Sequence, residues 1–182
     1  MLIKITLLYI LLGGVLFLVL WYNVQLFLLM FRSNKQAIYI PSFTKDLSLM
    51  CGQLPLSPGK MLIDLGCGDG KALRFFVREY HLKCLWYDIN RFAIYYGRMI
   101  NWLKWYHIHL FHSNFLGADL SGADYIYLYL FPEQMVIIED WFFSAIQEGT
   151  VVISNTFQFK KHTPFEIIKG RNGKNRIFLY KK

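Results

Sequence analysis

Cysteine is scarce in this chain of 182 residues: Cys51, Cys67 and Cys84, an odd number with no C-x-x-C. That excludes a disulfide framework and a zinc site of the usual spacing, and it fits a reducing compartment. Acids are also few, 12 against 20 Lys and Arg, and the net charge is +8. No Ser-His-Asp arrangement, metal-ligand cluster or carboxylate pair stands out. No internal repeat or low-complexity tract interrupts the chain.

Charge is missing altogether from Ile5 to Tyr22, and apolar character resumes as "LFLLMF" up to Phe31. A span needs about 20 mostly apolar residues, so residues 1–31 are expected to form one transmembrane anchor. A cleaved signal peptide would carry a shorter apolar region and a small-residue cleavage site, and no A-x-A pattern lies between Trp21 and Ile40. This segment accounts for much of the high mean hydropathy, +0.30. Lys4 before it and Arg32 and Lys35 after it leave the positive-inside rule nearly tied.

Residues 32–41 read as a connector, and 42–182 as one domain. Its signals alternate. "KMLIDLG" is an apolar run ending in glycine, a buried strand; Lys71–Tyr80 suits a helix with Leu73, Phe76 and Val77 on one face. "LKCLWYD" is a second strand, and Asn90 can cap a helix over 91–105. A third strand starts at 107, and Asn114 and Phe115 are expected at its end. "DYIYLYLF" (124–131) is the fourth strand. Pro132 opens a helix as its first residue, and "TVVISNTF" is the fifth strand. The tail reads as a hairpin turning at Asn172-Gly173. The expectation is an α/β fold: a doubly wound, mostly parallel sheet with a C-terminal antiparallel hairpin. Only about a dozen residues separate strands three and four, so the helix between them should be short or absent.

Ligands of such sheets sit beyond the carboxyl ends of the strands. The first strand ends in Asp64, Gly66, Cys67, Gly68, Asp69 and Gly70. A dinucleotide fingerprint would be G-x-G-x-x-G; here Lys71 stands where the third glycine should be. Asp69 would also oppose a pyrophosphate by about 4 kcal/mol at 4 Å and an effective dielectric near 20. S-adenosylmethionine suits the loop better, having an ammonium, a sulfonium and no phosphate. Asp64 can shape the loop or receive the ammonium, and the glycines admit the methionyl part to the backbone. Asp88, at the end of the second strand, can accept both ribose hydroxyls, with Ile89 beside it. Asn114 can bond the adenine amino group and Phe115 can cover the ring. Cys67 reads as a small filler, with a reactive thiol as the alternative. An intracellular cofactor also breaks the topological tie: the domain is expected on the cytoplasmic, or mitochondrial matrix, side.

With these residues in place the sequence resembles class I methyltransferases, whose fold is Rossmann-like. More narrowly it resembles the membrane-anchored protein-lysine methyltransferases that act on the ATP synthase c subunit and the adenine nucleotide translocase. The likeness runs from Ile38 to the C-terminus and rests on "YIPS" (39–42), "LIDLGCGDGK" (62–71), "YDIN" (87–90), "LYLFP" (128–132) and "NTFQFKKHTP" (155–164). It implies methyl transfer to a lysine of a membrane-associated protein. Asp88 stands where Glu is usual, and Asn114 replaces the acid that many class I enzymes carry near adenine.

A lysine must arrive neutral although its free pKa is near 10.4, and a desolvated aromatic slot would lower that value. Tyr39, Tyr129 and Phe131 are candidates for the slot, shaped by Pro41 and Pro132. Methylation of a lipid or quinone, and a non-catalytic assembly role, are alternatives. Nucleic acid is disfavoured as a substrate, because "LFPE" stands where an N/D-P-P-Y/F motif would follow the fourth strand. Residues 160–182 hold eight basic side chains against Glu166 alone. Lys160, Lys161, Arg171, Lys174 and Arg176 are therefore candidates to meet anionic headgroups.

Overall fold

The computed structural model describes Leu2–Phe31, Leu47, 52–106, 108–170 and 173–182. The connector 32–41, Tyr39, Pro41, Cys51, Arg171 and Asn172 lie outside the described residues.

The chain divides into two compact units, Met1–Tyr39 and Ile40–Lys182. The first holds α1, Leu2–Phe31, a single helix of 30 residues. Its segment Ile5–Leu26 has the length and composition to cross a membrane, and none of it is buried in the protein. Apolar side chains occupy all of its faces.

The second unit is a seven-stranded sheet flanked by helices. Strands β1 (Met61–Leu65), β2 (Lys83–Asp88), β3 (His109–His112), β4 (Tyr125–Leu128) and β5 (Val151–Asn155) alternate with α2 (Lys71–Tyr80), α3 (Arg91–Leu103) and α4 (Pro132–Ala145). A tail of β6 (Glu166–Lys169) and β7 (Asn175–Lys181) follows. The spatial order is β3-β2-β1-β4-β5-β7-β6. β1 to β5 pair in parallel, and β7 inserts antiparallel between β5 and β6. β6 is a four-residue outer strand with a register shift at Ile168/Lys169.

Several boundaries differ from the sequence reading: α3 ends at Leu103 rather than 105, β3 starts at His109 rather than 107, and β5 ends at Asn155 rather than 157. β4 stops at Leu128, so Tyr129 and Phe131 lie beyond the strand, and Phe131 is the N-cap of α4. β3 stops at His112, and Asn114 caps a 3₁₀ turn, Phe115–Gly117, rather than ending a strand. That turn is the only helix between β3 and β4, as the short spacing required.

The two faces of the sheet bury separate cores. One includes Leu62, Leu73, Phe76, Trp86, Ile94 and Tyr127. The other includes Ile63, Leu65, Ile126, Leu128, Phe142 and Phe178. The alternation Leu62/Ile63 and Tyr127/Leu128 follows from the two-residue repeat of a strand covered on both sides. Trp86 is fully buried, and its indole N–H finds no acceptor among the described residues. Its ring fills the space beside two glycines. A Cβ on Gly70 would lie 1.7 Å from Cζ3, and one on Gly97 of α3 would lie 2.4 Å from Cη2.

Candidate functional site

Strand order reverses between β1, whose crossover leads to β2, and β4 on its other side. A crevice opens at the carboxyl end of such a switch point. The loop leaving β1 there is shaped by Gly66, Gly68 and Gly70, with φ of 82°, 58° and 74°. L side chains avoid this region, so the three glycines let the chain turn with its backbone bare. The Gly66 N–H donates to the Tyr87 carbonyl at 2.9 Å, and the Gly70 N–H to the Cys67 carbonyl at 3.1 Å.

Asp88 ties this loop to β2. Its Oδ2 accepts from the Gly68 N–H at 2.8 Å and its Oδ1 from the Asn90 N–H at 2.7 Å. A carboxylate has about four lone-pair positions, so each oxygen keeps acceptor capacity. The Asn90 side chain in turn accepts from the Ala93 N–H at 3.2 Å and starts α3, as expected. Ile89 is partly exposed at the rim; its carbonyl lies 3.0 Å from His112 Nε2.

Asp64 is 1% exposed, and its Oδ2 has no partner among the described residues. Burial, then the charges of Asp88 and Asp69, push its carboxyl well above the ordinary 3.8. Burial also raises Asp88, against the Asn90 and Gly68 N–H groups and His112, which favour the carboxylate. Three carboxyls, Asp64, Asp69 and Asp88, therefore stand close together around one loop. A buried, unpartnered carboxyl is costly, and a cationic ligand would relieve it. The same field acts on Cys67: burial first, then Asp64, Asp88 and Asp69, hold its thiol well above 9.0. Cys67 accordingly packs as a small filler against the first core.

Asp69 faces α2. Its Oδ1 accepts from the Lys71 N–H at 3.1 Å, and its carbonyl accepts from Arg74 Nη1 at 2.7 Å. Arg74 Nη2 also stands 3.5 Å from Oδ2. Beyond β3, Asn114 Oδ1 accepts from the Leu116 N–H at 3.0 Å, and Phe115 is half-buried against the second core.

Around β4 and β5 the same rim is aromatic. Tyr129 stacks on Phe157 at 6.5 Å and 16°, and Phe131 meets the same ring at 6.4 Å. Pro132 is the first residue of α4. Phe157 belongs to this cluster and was not singled out from sequence. It is brought there by a turn after β5, where Thr156 takes φ 73° and Ser154 Oγ donates to the Phe157 carbonyl at 2.5 Å. Beneath it, the fully buried Asn155 donates to the Tyr127 hydroxyl at 2.9 Å. The available signal was three polar residues in a row, Ser154, Asn155 and Thr156, closing an apolar run.

This geometry has counterparts in known proteins. A profile described as the ANTKMT methyltransferase domain matches residues 64–166, more than half of the chain. A protein-lysine N-methyltransferase of Saccharolobus islandicus (strain REY15A) is 24% identical over 148 residues, covering 78% of this chain and 91% of that one. An RNA methyltransferase of Salinibacter ruber, solved with S-adenosyl-L-homocysteine, superposes with TM-score 0.72 at 19% identity, covering 78% of this chain and 93% of that one. A SAM-dependent methyltransferase of Geobacter sulfurreducens, also with S-adenosyl-L-homocysteine, gives TM-score 0.57 at 16% identity, over 72% and 54% of the two chains. At these identities the two solved structures share the fold.

Proposed function

The chain belongs to the ANTKMT methyltransferase-domain family, and on that premise we propose that it is a membrane-anchored methyltransferase. It uses S-adenosylmethionine to methylate a lysine of a protein in or at the membrane. The observation that carries the donor is Asp64, a buried carboxyl with an orphaned oxygen beneath a bare glycine loop. When bound, the donor supplies an electrophilic methyl group on a cationic sulfur. The loop Gly66–Gly70 admits its amino-acid part, and Asp64 meets the positive charge. Asp88 spends one lone pair of each oxygen on the backbone and keeps the others for the ribose diol. Ile89 and Asn114 border the base.

Methyl transfer is an in-line displacement governed by alignment. Tyr129, Phe131 and Phe157 form an apolar wall at the acceptor side, with Tyr39 and Pro41 proposed to complete it. Such a wall excludes water and favours the neutral amine over the ammonium. Support for a lysine acceptor comes from the family match and from the Saccharolobus islandicus relative.

Segment 1–31 is proposed as the anchor and 42–182 as the catalytic domain, facing the compartment that holds the donor. The basic tail residues Lys160, Lys161, Arg171, Lys174 and Arg176 are proposed to favour anionic headgroups; Lys161 also meets Asp140 at 2.5 Å.

The test uses membranes from cells with and without the protein, supplied with methyl-labelled donor and examined by mass spectrometry. Protein-dependent methyl-lysine in a membrane protein is expected. Label confined to lipid or quinone, or absent while the donor binds, would overturn the lysine assignment.

A further inference from the structure

The turn that leaves β5 is strained at one residue. Thr156 takes φ 73°, and the Phe157 N–H donates to the Asn155 carbonyl at 2.9 Å. Three residues closed in this way around a left-handed centre make the rare, strained form of γ-turn. The loop after β1 needs similar angles, and there the chain uses Gly66, Gly68 and Gly70. Glycine adopts them with no Cβ to clash. Threonine is β-branched and is an outlier in this region. Backbone strain of this kind persists only where the surroundings fix it, and it gathers at functional sites.

The surroundings fix Thr156 through several bonds. Its N–H donates to the Arg176 carbonyl of β7 at 2.6 Å. Its Oγ1 donates to Asn155 Oδ1 at 3.0 Å, and Asn155 Nδ2 donates to the Tyr127 hydroxyl at 2.9 Å. Ser154 Oγ donates to the Phe157 carbonyl at 2.5 Å. Ser154, Asn155 and Tyr127 are all buried, so the network lies where polar groups left without partners are costly. Tyr127 stands in register with Asp64 on the neighbouring parallel strand, and residues so paired point to the same face. A run of neighbours thus leads from Asp64 through Tyr127 and Asn155 to Thr156. The next residue, Phe157, stacks on Tyr129 at 6.5 Å and meets Phe131 at 6.4 Å.

We propose that Thr156 is a positioning residue for methyl transfer: its hydroxyl holds the strained turn that sets Phe157 against Tyr129 and Phe131. The role rests on the lysine-methylation reading and adds to it how the acceptor wall is kept in place. The amine nitrogen, the methyl carbon and the sulfur must line up, and a misplacement of about 1 Å slows such a step about 100-fold. At that sensitivity a drift of about 0.3–0.5 Å gives roughly 4–10-fold. A glycine at 156 would relax the turn and release the ring to that extent. A threonine that served stability alone would have no reason to occupy an angle that glycine takes freely.

The full chain is purified in mild detergent, unchanged and as T156G, T156S, T156V, F157L and T156G/F157L. Each is placed in excess over methyl-labelled S-adenosylmethionine with membranes from cells lacking the protein, and methyl-lysine formation is timed by mass spectrometry. Donor affinity is measured by calorimetry, and thermal unfolding without donor by circular dichroism. T156G is expected to transfer methyl roughly 4–10-fold more slowly, with donor affinity within about twofold of the unchanged chain. Its Tm should stay within about 2 °C, because relief of strain offsets the lost hydrogen bond. T156V keeps the branch without the hydroxyl and should be slowed as much as T156G. T156S should recover to within about twofold of the unchanged rate. T156G/F157L should be about as slow as the slower single change, since both act through one ring. An unchanged rate in T156G or T156V overturns the proposal, and so does T156S as slow as T156G. Multiplication of the two losses in T156G/F157L overturns it too. A T156G chain that unfolds more than about 5 °C lower and loses donor affinity with its rate shows a merely structural threonine, which also overturns it. These outcomes leave lysine methylation standing. No methyl-lysine from the unchanged chain while it binds donor overturns that reading and the proposal with it.

Discussion

Replacing Gly70 with alanine tests how the cofactor loop is held. Gly70 has φ 74°, and an added Cβ would stand 1.7 Å, 2.2 Å and 2.7 Å from Cζ3, Cη2 and Cε3 of Trp86. Carbon atoms rest at about 3.5–4.0 Å, so the ring or the loop must move by roughly 2 Å. The ring has nowhere to go: it is fully buried and also abuts the position of a Cβ on Gly97. Overpacking costs about 1–3 kcal/mol, and the left-handed backbone adds about 1–2 kcal/mol. G70A should therefore lose about 2–5 kcal/mol, a fall in Tm of roughly 5–15 °C for a chain of this size. G97A meets the same ring but lies inside α3, where alanine recovers about 1 kcal/mol of helix propensity; its loss should be smaller. The assay is thermal unfolding of the full chain in mild detergent, followed by near-ultraviolet circular dichroism. Adding W86L to G70A should cost less than the two changes summed, by about 0.5–3 kcal/mol. A G70A chain as stable as the original, or strict additivity in the double variant, would refute the clamp.

Other expectations concern the site and its supports. D88N replaces one acceptor oxygen facing Gly68 or Asn90 with a donor, and should weaken S-adenosylmethionine binding roughly 10–100-fold by calorimetry. Donor affinity should rise with pH, by up to about tenfold per unit, through the raised value of Asp64, because the cation must displace its proton. Without donor the sign for stability is opposite: a carboxyl raised on folding contributes fully below 3.8, and that contribution is lost as pH rises through the folded value. Affinity that is flat with pH would rule out Asp64 as the charge partner. F157L should slow single-turnover transfer by roughly 2–10-fold, the worth of aromatic contacts of about 0.5–1.5 kcal/mol, with donor affinity unchanged. Glu139 is buried and receives the Lys160, Lys161 and His162 N–H groups at 3.1, 2.7 and 3.1 Å, and His162 Nδ1 at 2.9 Å. E139A should cost about 2–3 kcal/mol in urea unfolding, and an unchanged midpoint would contradict that network.

Strands and helices were legible where the chain marks its own ends. α2 runs over the ten residues expected, Lys71–Tyr80, because Gly70 precedes it and His81 takes φ 55° behind it. The acid at the end of β2 was legible because a strand end fixes where a carboxylate can point. β4 was read too long because Tyr129–Phe131 continue its apolar run; only the aromatic packing on Phe157 reveals that they have left the sheet. Asn155 against Tyr127 was hidden for another reason. It depends on which residues β4 and β5 place side by side, Tyr127 opposite Ile153 and Leu128 opposite Ser154, and local patterns do not encode that register. Gly97 carries no signal of its own in the sequence; what requires it is the indole of Trp86 standing beside it.

The outermost strand has a consequence for crowding. β6 offers a free row of peptide groups, and proteins gathered on one surface meet at high local concentration, where such rows can recruit one another into growing ladders. Four residues, charged at both ends by Glu166 and Lys169 and stepped out of register between Ile168 and Lys169, give too short and too uneven a template for a neighbour's strand to lengthen. Straightening that step would lengthen the template that a neighbouring strand could pair with.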